Sequence, residues 1–217
     1  MDLEKARFNM IEQQIRPWDV LDQEILDLLA VVKREQFVPQ AYAALAFVDM
    51  EIPLPCGENM LPPRVEARLL QDLNVRKHEN VLEIGAGSGY MAALLANRAR
   101  HVLTVDIHGE LAALARQNLA KAAITNVDVA EGNAADGWAV AAPYDVICIS
   151  ASVPEIPQSI LSQVKVGGRI AAIVGDAPVM EARIITRVSE TEYQVVNLFE
   201  TLAKPLEGAA QPSRFKF

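Results

Sequence analysis

The sequence predicts an α/β domain: a mainly parallel, twisted sheet with helices on both faces, preceded by a helical N-terminal extension. Three observations carry that expectation. From residue 80 onward, short β-branched apolar runs alternate with helical patterns, the order expected of a parallel sheet. A turn with three glycines at alternate positions, Gly85, Gly87 and Gly89, joins the first such run to the first such helix. Hydrophobic residues make up 51% of the 217, enough to bury a sheet on both faces.

Residues 1–75 read as the extension and 76–217 as the sheet-bearing core, the two packed as one globular unit. Phe8, Ile11 and Ile15 are spaced for one apolar helical face. Asp22 can cap a helix carrying Ile25, Leu26, Leu28 and Leu29. The stretch Ile52-Pro53-Leu54-Pro55-Cys56-Gly57 stops helical continuation, because proline fixes φ and removes a donor. Pro62-Pro63 then opens a helix through Val65, Leu69, Leu70 and Leu73. Placed beside the sheet, this extension either closes over the site or only covers core.

In the core, Val81-Leu82-Glu83-Ile84 reads as a buried strand and Tyr90 to Ala96 as the helix after the glycine turn. His101 to Asp106 is the second strand, and Glu110 to Ala122 a helix with Leu111, Leu114, Ala115 and Leu119 on one face. Val127 to Ala130 follows as a strand. Tyr144 to Ser150 has the β-branched composition of a central one. Val166 to Gly175 gives a turn and a strand, and Arg183–Val188 with Glu192–Leu198 a closing pair. The tail beyond Glu207 reads as mobile, with Phe215 and Phe217 available to dock.

A glycine turn between strand and helix lets backbone N–H groups approach a ligand closely. Two ligands compete. A dinucleotide fingerprint can be forced onto Gly87-Ser88-Gly89-Tyr90-Met91-Ala92, with Asp106 at the distance of a ribose contact. That register, however, puts Glu83 and Gly85 inside the strand. S-adenosylmethionine fits better, because its ammonium needs an acidic neighbour and Glu83 at the strand end supplies one. Glu83, Gly85, Ala86, Gly87, Ser88 and Gly89 are therefore expected to hold the amino-acid end of this cofactor. Asp106, with Ile107 beside it, is expected to hold the ribose. Asn133 or Asp136 is placed to bond the adenine edge, an ordinary polar turn being the alternative.

At this point the chain resembles a known family. Glu83 to Tyr90 looks like motif I of class I S-adenosylmethionine-dependent methyltransferases, a Rossmann-like fold. Gln36-Phe37-Val38-Pro39, Ala46-Phe47-Val48-Asp49 with Ile52-Pro53-Leu54, and Ala142-Pro143-Tyr144-Asp145 are similar to the protein-L-isoaspartate O-methyltransferases. So are Ala151 to Pro157 and Val166-Gly167-Gly168-Arg169, in collinear order over roughly residues 5 to 175. The resemblance implies methylation of isoaspartyl carboxylates in damaged polypeptides, with S-adenosylhomocysteine as the spent product.

The resemblance also places Gly132, Asn133 and Ala134 on the adenine side. That triplet departs from the family's Gly-Asp-Gly, and the other departures fall on the acceptor side: Gly57-Glu58-Asn59-Met60-Leu61 stands where the family carries Gly-Gln-Thr-Ile-Ser, so Leu61 replaces the serine and Glu58 the neutral glutamine. Thr201-Leu202-Ala203-Lys204-Pro205-Leu206 stands where it carries Val-Arg-Phe-Val-Pro-Leu. Asn59, Leu61, Ser150 and Ser152 are the expected acceptor-site positions. No general base is expected, since a carboxyl of pKa about 4 is already ionised at neutral pH. Two other readings keep the cofactor: methylation of a different, small-molecule acceptor, or a cofactor-binding sensor without catalysis.

Composition narrows the partners. A formal charge of −8 argues against a broad nucleic-acid footprint, which needs a basic patch. His78, His101 and His108 show no metal or triad spacing and read as structural or solvated, and Cys56 and Cys148 form no disulfide or zinc pattern, so no metal is expected. No apolar run suits a signal core or a bilayer span, which makes a cytoplasmic monomer or weak dimer the expectation.

Overall fold

The computed structural model describes residues 2–210; Phe215 and Phe217 lie outside the described residues. Helix α1 (Leu3–Met10) begins where the Asp2 carboxylate accepts the Lys5 amide at 3.1 Å. It runs into a wide π turn at Ile11–Ile15 and a tight 3₁₀ turn at Arg16–Trp18. The expected apolar face is corrected here. Phe8 is 62% exposed, and the buried positions are Arg7, Met10, Ile11 and Ile15. That stripe starts on an arginine, whose guanidinium pairs with Glu35, so apolar spacing alone selects its neighbour Phe8 instead.

Helix α2 (Gln23–Val31) is capped by Asp22 as expected, its carboxylate accepting the Glu24 amide at 2.9 Å. The extension is not helical throughout. Strands β1 (Ile52–Pro53) and β2 (Asn59–Met60) form a small antiparallel pair around the turn at Pro55–Gly57. Helix α3 (Pro63–Leu73) follows, with proline at its first position, where no donor is lost.

The core runs β3 (Asn80–Ile84), α4 (Tyr90–Arg98), β4 (His101–Asp106), α5 (Gly109–Lys121), β5 (Val127–Glu131) and β6 (Tyr144–Val153). It ends with α6 (Gln158–Ser162), β7 (Val164–Asp176), β8 (Val179–Arg187) and β9 (Tyr193–Glu200). The short α6 carries no sequence signal strong enough to read beforehand. Seven strands lie in the order β5-β4-β3-β6-β7-β8-β9. From β5 to β7 neighbours are parallel, and β8 and β9 close the sheet as an antiparallel meander.

Chain order therefore reverses at β3: β4 and β5 build outward on one side, β6 and β7 on the other. Such a switch point opens a crevice at the carboxyl ends of the strands. One face of the sheet packs with the extension in a continuous apolar cluster that joins Met10, Leu29 and Phe37 to Leu94 and Val102. The other face holds Leu82, Ile147, Ile149 and Ile160. Side chains from the two ends of the chain are thus brought to the same crevice.

The Val166-Gly167-Gly168-Arg169 segment has a structural explanation. Arg169 donates to the Leu73 and Asn74 carbonyls at the end of α3 and grips both carboxylate oxygens of Glu79. It caps a helix whose last carbonyls have no partner of their own. Gly168 lies so close to the Asp145 carbonyl that a Cβ there would sit 2.6 Å from it.

Candidate functional site

The bend after β3 is built by backbone geometry. Gly85, Gly87 and Gly89 take φ of 92°, 51° and 83°, a region in which a side chain is strained. The Gly85 and Ala86 amides both donate to the Val105 carbonyl, at 2.9 and 3.2 Å, which ties the bend to β4. Gly89 backs onto α5, where a Cβ would lie 3.2 Å from Ala115 backbone atoms. The Ser88 carbonyl accepts from the Asn118 side chain at 3.0 Å, so the bend is held on its outer side by α5.

Glu83 is completely buried. It stands opposite Thr104 on β4 and opposite Cys148 on β6. The Thr104 hydroxyl donates to one carboxyl oxygen at 2.6 Å and the Ser150 hydroxyl to the other at 2.9 Å. Burial pushes its pKa up to about 8, against the pull of the two hydroxyl donors. No Lys or Arg side chain among the described residues pairs with this carboxyl.

Asp106, at the end of β4, accepts the Gly87 amide at 2.9 Å and the His108 amide at 3.0 Å, one on each oxygen. Burial raises its pKa from the ordinary value, and the two amides pull against that rise. A carboxylate has about four lone-pair positions, so two remain for the hydroxyls of a ribose.

Two adjoining cavities lie on this frame. One is bordered by Asp106, Ile107, Gly132, Ala134 and Ala135, the other by Glu83, Ala86, Ser88, Leu61 and Glu66. Asn59, Gly85, Gly87 and Ser150 line both and mark the junction. Loop 54–61 of the extension roofs the bend: the Leu54 amide donates to the Glu58 carbonyl at 2.7 Å, and a Cβ on Gly87 would lie 3.3 Å from the Leu54 side chain.

Three sequence-derived positions, Asn133, Asp136 and Ser152, line neither cavity. Asn133 is exposed and turns back on its own loop, its side-chain oxygen accepting the Ala135 amide at 2.9 Å. That bond turns the side-chain oxygen along its own loop. The wall there is made by Ala134 and Ala135, and Asp136 is likewise exposed. Ser152 lines neither cavity; its buried hydroxyl donates to the Ala203 carbonyl at 2.9 Å. Leu61 lines only the Glu83 side, and its carbonyl accepts from Arg34 at 2.8 Å.

Arg34 and Glu66 are the principal residues that the sequence reading missed. Arg34 is fully buried, ion-paired to Glu66, and 5.0 Å from the Tyr90 ring centre. Burial lifts the Glu66 pKa to about 7, with Arg34 opposing. The C-terminal segment was missed as well. The Ser152 amide donates to the Lys204 carbonyl at 2.9 Å and the Leu206 amide to the Ser152 carbonyl at 2.7 Å, seating residues 203–207 beside the end of β6. Glu207 meets His108 at 3.0 Å, and Lys204 meets Glu58 at 2.6 Å. Carboxyl and ring atoms of Glu58, His108 and Glu207 lie within 4.8 Å of one another, and Glu58 is already neutralised by Lys204.

The bend fits S-adenosylmethionine on two counts: a buried carboxyl with no cationic partner among the described residues is placed for an ammonium, and Gly85 and Gly87 bring bare backbone to the edge of both cavities. The switch-point crevice, the glycine bend and the two acidic strand ends define a class I S-adenosylmethionine-dependent methyltransferase. A family model described as protein-L-isoaspartate(D-aspartate) O-methyltransferase matches residues 5–208, and the chain belongs to that family.

The chain is 37% identical over 206 residues to protein-L-isoaspartate O-methyltransferase of Koribacter versatilis (strain Ellin345), covering 95% of this chain and 91% of the relative. It is 38% identical over 201 residues, 92% of each chain, to that of Rhodopseudomonas palustris (strain ATCC BAA-98 / CGA009). A solved Plasmodium falciparum structure, described as a protein of this kind in complex with S-adenosyl-L-homocysteine, superposes with a TM-score of 0.79. It covers 93% of this chain and 98% of its own at 15% identity, which shows the shared fold.

Proposed function

We propose that this chain transfers a methyl group from S-adenosylmethionine to the free carboxylate of isoaspartyl residues in damaged polypeptides. The observation that carries this reading is the junction of the two cavities, where Asn59 and Ser150 stand between the Glu83 end and the Asp106 end. When bound, S-adenosylmethionine supplies an electrophilic methyl group on a sulfonium. The chain's residues then have to hold and orient, not to move protons. Glu83 holds the ammonium, Asp106 the ribose, and the Gly85 to Gly89 bend leaves room for the chain between them.

The acceptor carboxylate is already ionised, so the O–CH₃ bond forms as the S–CH₃ bond breaks, the bonding pair stays on sulfur, and no base is needed. Ser150 spends its proton on Glu83, and the Asn59 amide donates to Glu51 at 2.9 Å, which fixes both side chains at the junction. Loop 54–61 and residues 203–207 exclude water from above. Among the described residues no helix is long and apolar enough to cross a membrane. The reading extends to a cytoplasmic monomer or weak dimer that acts on polypeptide and not on nucleic acid, in keeping with the charge of −8.

The test is a methyl-transfer assay on an isoaspartyl peptide, its aspartyl counterpart and a panel of small carboxylic acids. Base-labile methyl ester on the isoaspartyl peptide alone is the expected result. Ester formed only on a small acid would reassign the acceptor, and no product on any acceptor would leave a binding protein.

A further inference from the structure

Acidic side chains dominate the site. Glu58, Asp106 and Glu207 border one cavity and Glu66 and Glu83 the other, while among the described residues no Lys or Arg side chain lines either. A carboxylate acceptor entering this space finds no cationic Lys or Arg side chain of the described residues on its walls to receive it. The Arg34 guanidinium cannot do so, since it is fully buried and committed to Glu66 and the Leu61 carbonyl.

Lys204 leaves the C-terminal segment beside Ser152, spans to loop 54–61, and donates to the Gly57 carbonyl and the Glu58 carboxylate, each at 2.6 Å. Its side chain is 39% exposed, and its ion-pair partner Glu58 is a residue of the cavity wall. An ammonium carries three donors, and two are used.

We propose that Lys204 is the residue that recognises the acceptor carboxylate in this chain, held at the rim by Glu58 and supplying the charge-matched donor that Leu61 cannot. The arriving carboxylate takes the third N–H donor and shares the ammonium with Glu58; no bond is made or broken. A lysine suits this role as a mobile point charge on a flexible stem. This inference rests on the isoaspartyl reading above, and its test separates the two.

Binding of an isoaspartyl peptide is measured by fluorescence anisotropy on protein saturated with S-adenosylhomocysteine, alongside KM and kcat in the transfer assay. Wild-type protein is the first arm: if it neither binds nor methylates the peptide, the isoaspartyl reading fails and this proposal with it. Given wild-type binding, Lys204→Met is expected to weaken peptide binding and raise KM about tenfold or more, the loss of one charge-assisted contact. Lys204→Arg should recover most of that loss, and Glu58→Gln, which frees the ammonium, should tighten binding. The affinity for S-adenosylhomocysteine should stay within about twofold in both Lys204 variants. Unchanged peptide affinity in Lys204→Met overturns the proposal. So does a parallel loss of S-adenosylhomocysteine affinity and melting temperature, which would make Lys204 only a clasp between two segments.

Discussion

The Gly87 amide donates to the Asp106 carboxylate at 2.9 Å, so the bend that follows β3 and the acid that ends β4 are joined directly. The group assigned to the ribose also holds the glycine turn in shape. Cofactor affinity and bend geometry are therefore coupled through one side chain.

Asp106→Ala removes both functions. It should weaken S-adenosylhomocysteine binding by about 1.5–3 kcal/mol, the range for hydrogen bonds to a charged group. Calorimetric titration of folded protein reads this out, and an unchanged dissociation constant would place the ribose elsewhere.

Glu83 sets a pH dependence. Its folded pKa of about 8 lies above the ordinary 4.5, and Glu66, at about 7, is shifted the same way. The folded state then keeps protons that the unfolded chain releases. The stabilisation is complete below pH 4.5 and is lost as pH rises through the folded values of about 7 and 8. Urea melts of ligand-free protein should show stability declining across that window, and Glu83→Gln should flatten the slope. A stability that rises from pH 5 to about 8 contradicts the assignment.

The same proton reports on the cofactor. An ammonium beside Glu83 favours the ionised carboxyl. S-adenosylhomocysteine binding at about pH 6.5 should therefore release protons, seen as a binding enthalpy that varies with the ionisation heat of the buffer. Glu83→Gln should abolish most of that variation.

Arg34 and Glu66 form a buried pair beneath the Leu61 loop. Arg34→Met leaves the acid without its partner and should destabilise the fold, most strongly above about pH 7, where Glu66 is ionised in the parent protein. The double variant Arg34→Met with Glu66→Met should regain a large part of that loss. Denaturant unfolding of the four proteins in the cycle checks it, and additive losses would show that the pair is not coupled.

Gly89→Ala tests the bend. Its φ of 83° is unfavourable for alanine, and the new Cβ would press on Ala115 backbone atoms at 3.2 Å. A loss of about 1–3 kcal/mol in unfolding free energy is expected, with α5 unable to move aside. A neutral result would mean that the bend relaxes freely.

Much of the sheet was legible because its signals are local. Glu83 to Tyr90 encodes strand, bend and helix start in adjacent residues, and Asp22 and Pro63 mark helix beginnings by their own chemistry. The acidic end of β4 follows from strand periodicity alone. Phe8 was misplaced because the true stripe begins on Arg7, whose burial depends on Glu35 arriving from another element. Asn133 and Ser152 were misjudged for a related reason: residue type says that a side chain can hydrogen-bond, whereas the fold decides with what.

By itself, then, the sequence determined the alternation of strands and helices from β3 to β6, the glycine bend, the acids near the ends of β3 and β4, and the family. Periodicity and turn chemistry act over a few residues, so they can be read along the chain. Tertiary structure alone decided that Arg34 lies under Leu61, that Ser152 faces the C-terminal segment, and that Lys204 reaches Glu58 across 146 positions. Those contacts arise where the switch point and the folded-over extension bring distant segments to one crevice, and no local pattern specifies which side chains meet there.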